Sequence, residues 1–320
     1  MSSSVTTHPG DSREPRPWDP IAAAAVSALL FLVWGRVSPE AGWLAAIFSA
    51  APIAIQRLRG TGAAFGTVLA AAGLIVAFAD LGYALVFLVM FAAPGVLIGE
   101  GLVRGRGLRR GCLWAFLLLC AEVLFMLLVN APAMGEVMTK AAAMNRSPLI
   151  LAQMQGLMRP EQIEQWTEQS KTLENALAVV YPAAWIIIGG LVIAANAAAV
   201  RAYLIRRDPA WLDGGEFEGV RLPFALAVAF VLAGATVVLP PLRPLGYNVL
   251  LIVAFLLWLQ GLAVVLYYAN RLAGPPFLRR MVVVLVLVNP WAPQLLGLLG
   301  LFDLWFDFRR YADIPADGSN

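Results

Sequence analysis

The chain has 320 residues, 60% of them hydrophobic and 13% charged, with a mean hydropathy of +0.76 and a formal charge of +3. Water is therefore not the main solvent of this chain, and an ordinary soluble globular domain is excluded. Its arginines and lysines stand in short clusters between apolar runs and build no basic face, which points to membrane topology and away from nucleic acid.

Residues 1–19 read as a polar cytoplasmic tail that holds the sole histidine, His8, so the membrane region has no imidazole for catalysis or metal binding. A transmembrane helix needs about 20 mainly apolar residues. Apolar runs at Pro20–Gly35, Ala41–Gln56, Gly62–Ala79, Gly82–Gly99, Gly111–Met134, Ala176–Leu204, Leu222–Leu239, Gly246–Ala269 and Met281–Phe302 predict an all-α fold over 20–302, a polytopic transmembrane helical bundle of eight to nine membrane segments. Arg13 and Arg16 ahead of the first run resemble a signal-peptide start. No small-residue cleavage site follows, and further spans do, so the run is read as a membrane helix. Only Asp80 and Leu81 separate the third and fourth runs, which predicts a tight helical hairpin.

Orientation follows from the loops. Arg57 and Arg59, then Arg104, Arg106, Arg109 and Arg110, then Arg201, Arg206, Arg207 and Arg221, then Arg271, Arg279 and Arg280 alternate with poorer loops. The charge-rich loops are expected in the cytoplasm, with the amino terminus inside. Nine full crossings would leave Arg309 and Arg310 outside; a broken or re-entrant last segment would bring them back.

The one sizeable polar insertion, 135–175, is expected on the outer side as two short amphipathic helices. Ser147 caps the first with Pro148 at its first helical position. Pro160 starts the second, with Ile163, Trp166, Leu173 and Leu177 on one face and Glu161, Glu164, Glu168 and Lys171 on the other. The pair reads as a cap lying on the membrane.

An ionisable group in hydrocarbon costs about 2.5 to 3.5 kcal/mol at mid-helix, so each such group calls for a partner or a cavity. Glu122 is the clearest case, a carboxyl at mid-span that reads either as a neutral, hydrogen-bonded group joining helices or as a site for a proton, a cation or a hydroxylated ligand. Glu100 lies beside the Arg104–Arg110 cluster and reads as an interfacial ion pair. Asn130, Asn196, Gln260 and Asn270 place carboxamides on separate spans, where such groups bond helix to helix or line a site. Gly62, Gly66 and Ala70, like Gly190, Ala194 and Ala198, repeat small residues every four positions and read as helix packing.

Pro290, in the run Asn289-Pro290-Trp291-Ala292-Pro293, cannot return a hydrogen bond to Val286, so the last span is expected to kink or break there. The candidate ligand-binding set is thus Glu122, Asn130, Asn196, Gln260, Asn289 and Pro290. Beyond it, 303–320 reads as an interfacial segment and polar tail, with Asp303, Trp305, Asp307, Arg309 and Arg310 as an interfacial anchor or partner contact.

Cys112 and Cys120, on one predicted helix, supply neither a disulfide framework nor a zinc site. The chain has no phosphate-binding glycine loop ending in Lys-Ser/Thr, no zinc motif and no serine nucleophile elbow. It is therefore expected not to be an enzyme, to need no metal or cofactor, and to depend on a separate ATPase for any ATP-driven role.

Tyr181-Pro182-Ala183-Ala184-Trp185, Ala195-Asn196, Leu259–Val265 and the closing Gly300–Arg310 run resemble the YybS-like family of predicted bacterial membrane proteins, a domain of unknown function. That resemblance implies a bacterial multi-pass protein of the cytoplasmic (inner) membrane. At fold level, Ala51-Pro52, Gly62–Gly66 and Pro94–Gly101 look like the substrate-binding S components of energy-coupling-factor transporters, which bind vitamins or metals and borrow ATPase partners. The resulting expectation is a small-molecule-binding or transport-related membrane protein; the alternative is a non-catalytic envelope scaffold or assembly protein.

Overall fold

A computed structural model describes residues 19–36, 39–144, 160–207, 209–212, 217–271 and 288–312, with further positions at 275, 277, 281 and 284–286. Among the described residues every regular element is helical. The polar tail through Trp18 and the helix expected at Ser147 lie outside them, as does much of the run after Arg271.

The elements are α1 (Asp19–Arg36), α2 (Pro39–Ala46), α3 (Ala51–Arg59), α4 (Thr61–Phe78), α5 (Leu81–Phe87), a π-helical segment (Leu88–Ala92), α6 (Ala93–Val103), α7 (Gly107–Met144), α8 (Pro160–Arg207), α9 (Ala225–Val238), α10 (Arg243–Arg271), α11 (Ala292–Phe306) and α12 (Phe308–Ala312). Five stretches are long and apolar enough to cross a membrane: Thr61–Phe78, Leu81–Val103, Gly107–Val129, Thr167–Arg207 and Pro240–Arg271. Asp19–Trp34, Ala225–Val238 and Ala292–Phe306 are shorter apolar helices. Their outward side chains are apolar too, for example Leu128 at 78% and Val238 at 74% exposure, a surface suited to lipid.

Two compact units divide the chain, 1–118 with 191–213 and 119–190 with 214–320. In the first, Phe31 of α1 is fully buried. It meets Trp34, Tyr83, Phe87 and Phe91 edge-on at centroid distances of 5.4 to 6.4 Å, within the range in which aromatic pairs attract. The hairpin predicted at Asp80 is present: the Asp80 carboxylate accepts from the Tyr83 N–H at 2.9 Å and caps α5. The π-helical segment ends two residues before Pro94, which has no N–H to give to the turn before it.

Three predicted segments differ from what forms. Ala41–Gln56 is split into α2 and α3 by a turn at 47–50, with Pro52 in the first turn of α3. The second insertion helix and the span predicted at Ala176–Leu204 are one helix, α8, which continues through Pro182. Likewise α7 runs past Met134 to Met144, so the insertion begins as its extension. The small-residue stripe on α4 also behaves differently: Gly62, Gly66 and Gly73 have no atom within 4 Å of where a side chain would start. Ala70 is exposed as well, so that face packs against nothing among the described residues.

Close helix approach occurs at other glycines, Gly95, Gly99 and Gly111 in the first unit and, most tightly, Gly261 and Gly300 in the second. A Cβ on Gly261 of α10 would lie 1.9 Å from the Leu296 carbonyl oxygen, and one on Gly300 of α11 would lie 1.9 Å from that of Leu257. The two backbones touch, as small residues permit in lipid. Gly300→Ala should force them apart and destabilise the protein by about 1 to 3 kcal/mol or more. Gly66→Ala should be neutral. Detergent-solubilised thermal unfolding of the two variants checks this; equal melting temperatures would remove the crossing as a constraint.

Candidate functional site

In the first unit the polar side chains gather where α2 gives way to α3. A broken membrane helix frees carbonyls that lipid cannot satisfy, so each must find a donor in the protein. The Ala45 oxygen accepts from Phe48 N–H at 3.1 Å, that of Ala46 from Ser49 N–H at 3.0 Å, and that of Phe48 from Ala51 N–H at 3.2 Å. The two remaining oxygens are served by side chains from elsewhere in the unit. Asn196 Nδ2, on α8, donates to the Ile47 oxygen at 2.6 Å, and Ser27 Oγ, on α1, donates to the Ser49 oxygen at 2.5 Å. Ser49 Oγ returns to the Ala46 oxygen at 2.8 Å.

Ser27, Ser49 and Asn196 are fully buried. The second Asn196 hydrogen goes to the Val192 oxygen at 2.8 Å, while Asn196 Oδ1 is buried with no hydrogen-bond partner among the described residues. On α3, Gln56 donates to the Asp19 carbonyl oxygen at 3.2 Å, and its own Oε1 is likewise buried and unpartnered. Farther along, Glu100 pairs with Arg104 at 2.5 Å, within the cluster that predicted it, and also with Arg57 at 2.6 Å. Arg59 pairs with Asp19.

The second unit holds an ionic node. Asp303, near the end of α11, and Arg309 have side chains only 1% and 2% exposed and meet at 2.7 Å. Gln260 Nε2 of α10 donates to the same Asp303 oxygen at 2.6 Å, and the other oxygen accepts from Phe308 N–H at 3.0 Å. Gln260 Oε1 accepts from Leu222 N–H at 3.0 Å, while Arg309 donates to the Val220 carbonyl at 2.7 Å. Asp307 makes this possible. Its left-handed backbone (φ 41°) ends α11 and turns the chain so that Arg309 faces back to Asp303. Its carboxylate pairs with Arg221 at 2.8 Å.

A third irregularity was not signalled by any candidate residue. Pro182 interrupts α8, and the carboxamide of Asn248, on α10, enters the gap: Asn248 Oδ1 accepts from Ala183 N–H at 2.9 Å and Nδ2 donates to the Val179 oxygen at 2.9 Å. One side chain thus replaces both halves of a helical hydrogen bond. Pro182 inside an apolar run was the available signal; its partner 66 residues on was not legible.

The remaining candidates are not brought together. Glu122 is half-buried on α7 and has no hydrogen bond or ion pair among the described residues. Asn130 lies in α7, with its side chain outside the described residues. Asn289 and Pro290 are exposed, and Asn289 Oδ1 accepts from Trp291 N–H at 2.9 Å in its own turn. Trp305 is half exposed against Phe224, with ring centroids 5.7 Å apart, and Arg310 is exposed. Among the described residues no group of three or more acidic, cysteine or histidine side chains is placed to hold a metal ion.

Asp303→Asn or Arg309→Met, each stranding one buried charge or its partner, should cost about 3 to 5 kcal/mol of stability. Asn248→Ala should cost about 1 kcal/mol through the unpaired Val179 and Ala183 groups. In a Pro182→Ala background that loss should shrink, because Ala183 can then bond Val179 directly. A double-mutant cycle on unfolding in detergent measures the coupling, and strict additivity would refute the bridging role.

The model of a family described as predicted membrane proteins (DUF2232) matches residues 25–304. No curated protein and no solved structure matches the chain. With the match covering all but the two ends, the chain belongs to that family of predicted membrane proteins.

Proposed function

We propose that this membrane protein binds a small molecule for transport, receiving a hydrogen-bond donor of the ligand at the break between α2 and α3. The observation that carries the reading is Asn196 Oδ1, a fully buried acceptor without a partner at an irregular turn. Such an atom costs about 1 to 3 kcal/mol when left unsatisfied. Broken helices in lipid are also how transporter binding sites are built. A hydroxyl or ammonium group on the ligand fits the chemistry, and Glu122, Asn130, Gln260, Asn289 and Pro290 are not required for it. In this reading the protein is not itself an enzyme, acts in the manner of an S component, and is energised by a separate ATPase subunit; its family kinship is YybS-like.

The proposed setting is the bacterial inner membrane with the amino terminus in the cytoplasm. The α2–α3 pair, 21 residues from Pro39 to Arg59, crosses as one broken span, and the shorter α1 and α9 cross with the five longer stretches. Eight crossings result. Arg309 contacts the Val220 carbonyl and Asp307 pairs with Arg221, which supports placing the carboxyl-terminal arginines beside the Arg221 loop on the cytoplasmic side. The last apolar segment is then re-entrant.

Native mass spectrometry of the purified protein tests the ligand. The wild type should retain a non-lipid small molecule, Ser27→Ala should keep it, and Asn196→Leu should lose it. Absence of any such molecule, together with a stably retained protein partner, would favour the scaffold reading instead.

A further inference from the structure

The end of α8 carries an open surface hollow of about 420 Å³ lined by Ala202, Tyr203, Arg206 and Arg207. Ala202 with Arg206, and Tyr203 with Arg207, are spaced by four, so the four side chains share one helix face. Arg206 and Arg207 are exposed, and neither forms an ion pair among the described residues. Two adjacent guanidinium groups with no carboxylate paired to them among the described residues present paired donors that match a phosphate.

The depth of the hollow identifies the phosphate. The charge-free stretch 181–200 of α8 spans about 30 Å, the thickness of a hydrocarbon core, and the hollow begins within one helical turn beyond it. That is where headgroups lie. Leading toward it on α8 are Leu191, Ala194, Ala198, Ala202 and Ile205, all exposed and spaced by three or four residues. This strip of small and apolar side chains is about 21 Å long, close to an extended acyl chain. A free phosphate would need the arginines and have no use for the strip.

We propose that the α8 hollow binds an anionic phospholipid, with the headgroup phosphate held by Arg206 and Arg207 and an acyl chain laid along the Leu191–Ile205 strip. Basic pockets at the ends of membrane helices take anionic lipids in this way. The site is independent of the α2–α3 break.

The test is native mass spectrometry of the full chain equilibrated with palmitoyl-oleoyl phosphatidylglycerol or with the phosphatidylcholine of the same acyl chains. The wild type should retain the phosphatidylglycerol preferentially, and R206Q/R207Q should lower that retention about tenfold. R109Q/R110Q, which removes equal charge elsewhere, should leave it unchanged. A202W fills the hollow with both arginines intact and should also lower retention, so it carries the test should the double variant fail to fold. Equal retention of the two lipids, no loss in A202W, or an equal loss in R109Q/R110Q would overturn the proposal. Displacement of the lipid by millimolar inorganic phosphate at constant ionic strength would overturn it in favour of a free-anion site.

Discussion

Hydrocarbon offers no hydrogen bonds, so each place where the backbone of this protein leaves the helix has to be answered by another part of the protein. The structure meets that demand at three places. Ser27 and Asn196 serve the turn between α2 and α3, Asn248 serves the interruption at Pro182, and Gln260 with Asp303 serves the chain ends at Leu222 and Phe308. Carboxamides recur because one such group both donates and accepts, which a hydroxyl or a carboxylate does less completely. Polar residues in these apolar helices are thus explained first by backbone repair, and only what repair leaves over points to ligand chemistry.

Much of the fold was legible because lipid imposes a simple pattern: long apolar runs, arginines at their ends, and too few residues at Asp80 and Leu81 for anything but a tight turn. The breaks were less legible. Pro52 and Pro182 each removed a backbone donor, yet a proline in an apolar run does not reveal whether the chain kinks or stops. At Pro182 the helix survives because Asn248 bridges it; at Pro52 the turn survives because donors arrive from α1 and α8. Those partners lie 22 to 149 residues away along the chain, a separation that no local pattern encodes. Asn196 and Gln260 were legible as polar groups needing partners, but their partners, mostly backbone atoms, were not.

The closing segment shows how a single backbone angle changes the reading of a motif. On an unbroken helix Asp303 and Asp307 stand one turn apart and Arg310 lies near Asp307, which suits an exposed anchor. The left-handed Asp307 ends that helix, so Arg309 folds back onto Asp303 and both are buried. Trp305 before the turn and Arg310 after it stay exposed.

Each of the two polar nodes leaves a buried acceptor over, Asn196 Oδ1 in the first and Asp307 Oδ1 in the second, and they differ in how their bonds are arranged. Around Asp303 the partners point one way only: Leu222 N–H to Gln260, Gln260 to Asp303, Arg309 to both Asp303 and the Val220 carbonyl. A network so directed fixes one register between α10, α11 and the chain before α9. That is the role in which buried ion pairs are best attested, since their net contribution to stability is small. At the α2–α3 break every carbonyl from Ala45 to Ser49 is satisfied, and yet the residue that completes the repair holds a buried acceptor with no hydrogen-bond partner among the described residues. Repair alone needed only the Asn196 amide hydrogens. The spare oxygen is costly where it stands, and under the proposed function it is the atom that receives the ligand's donor.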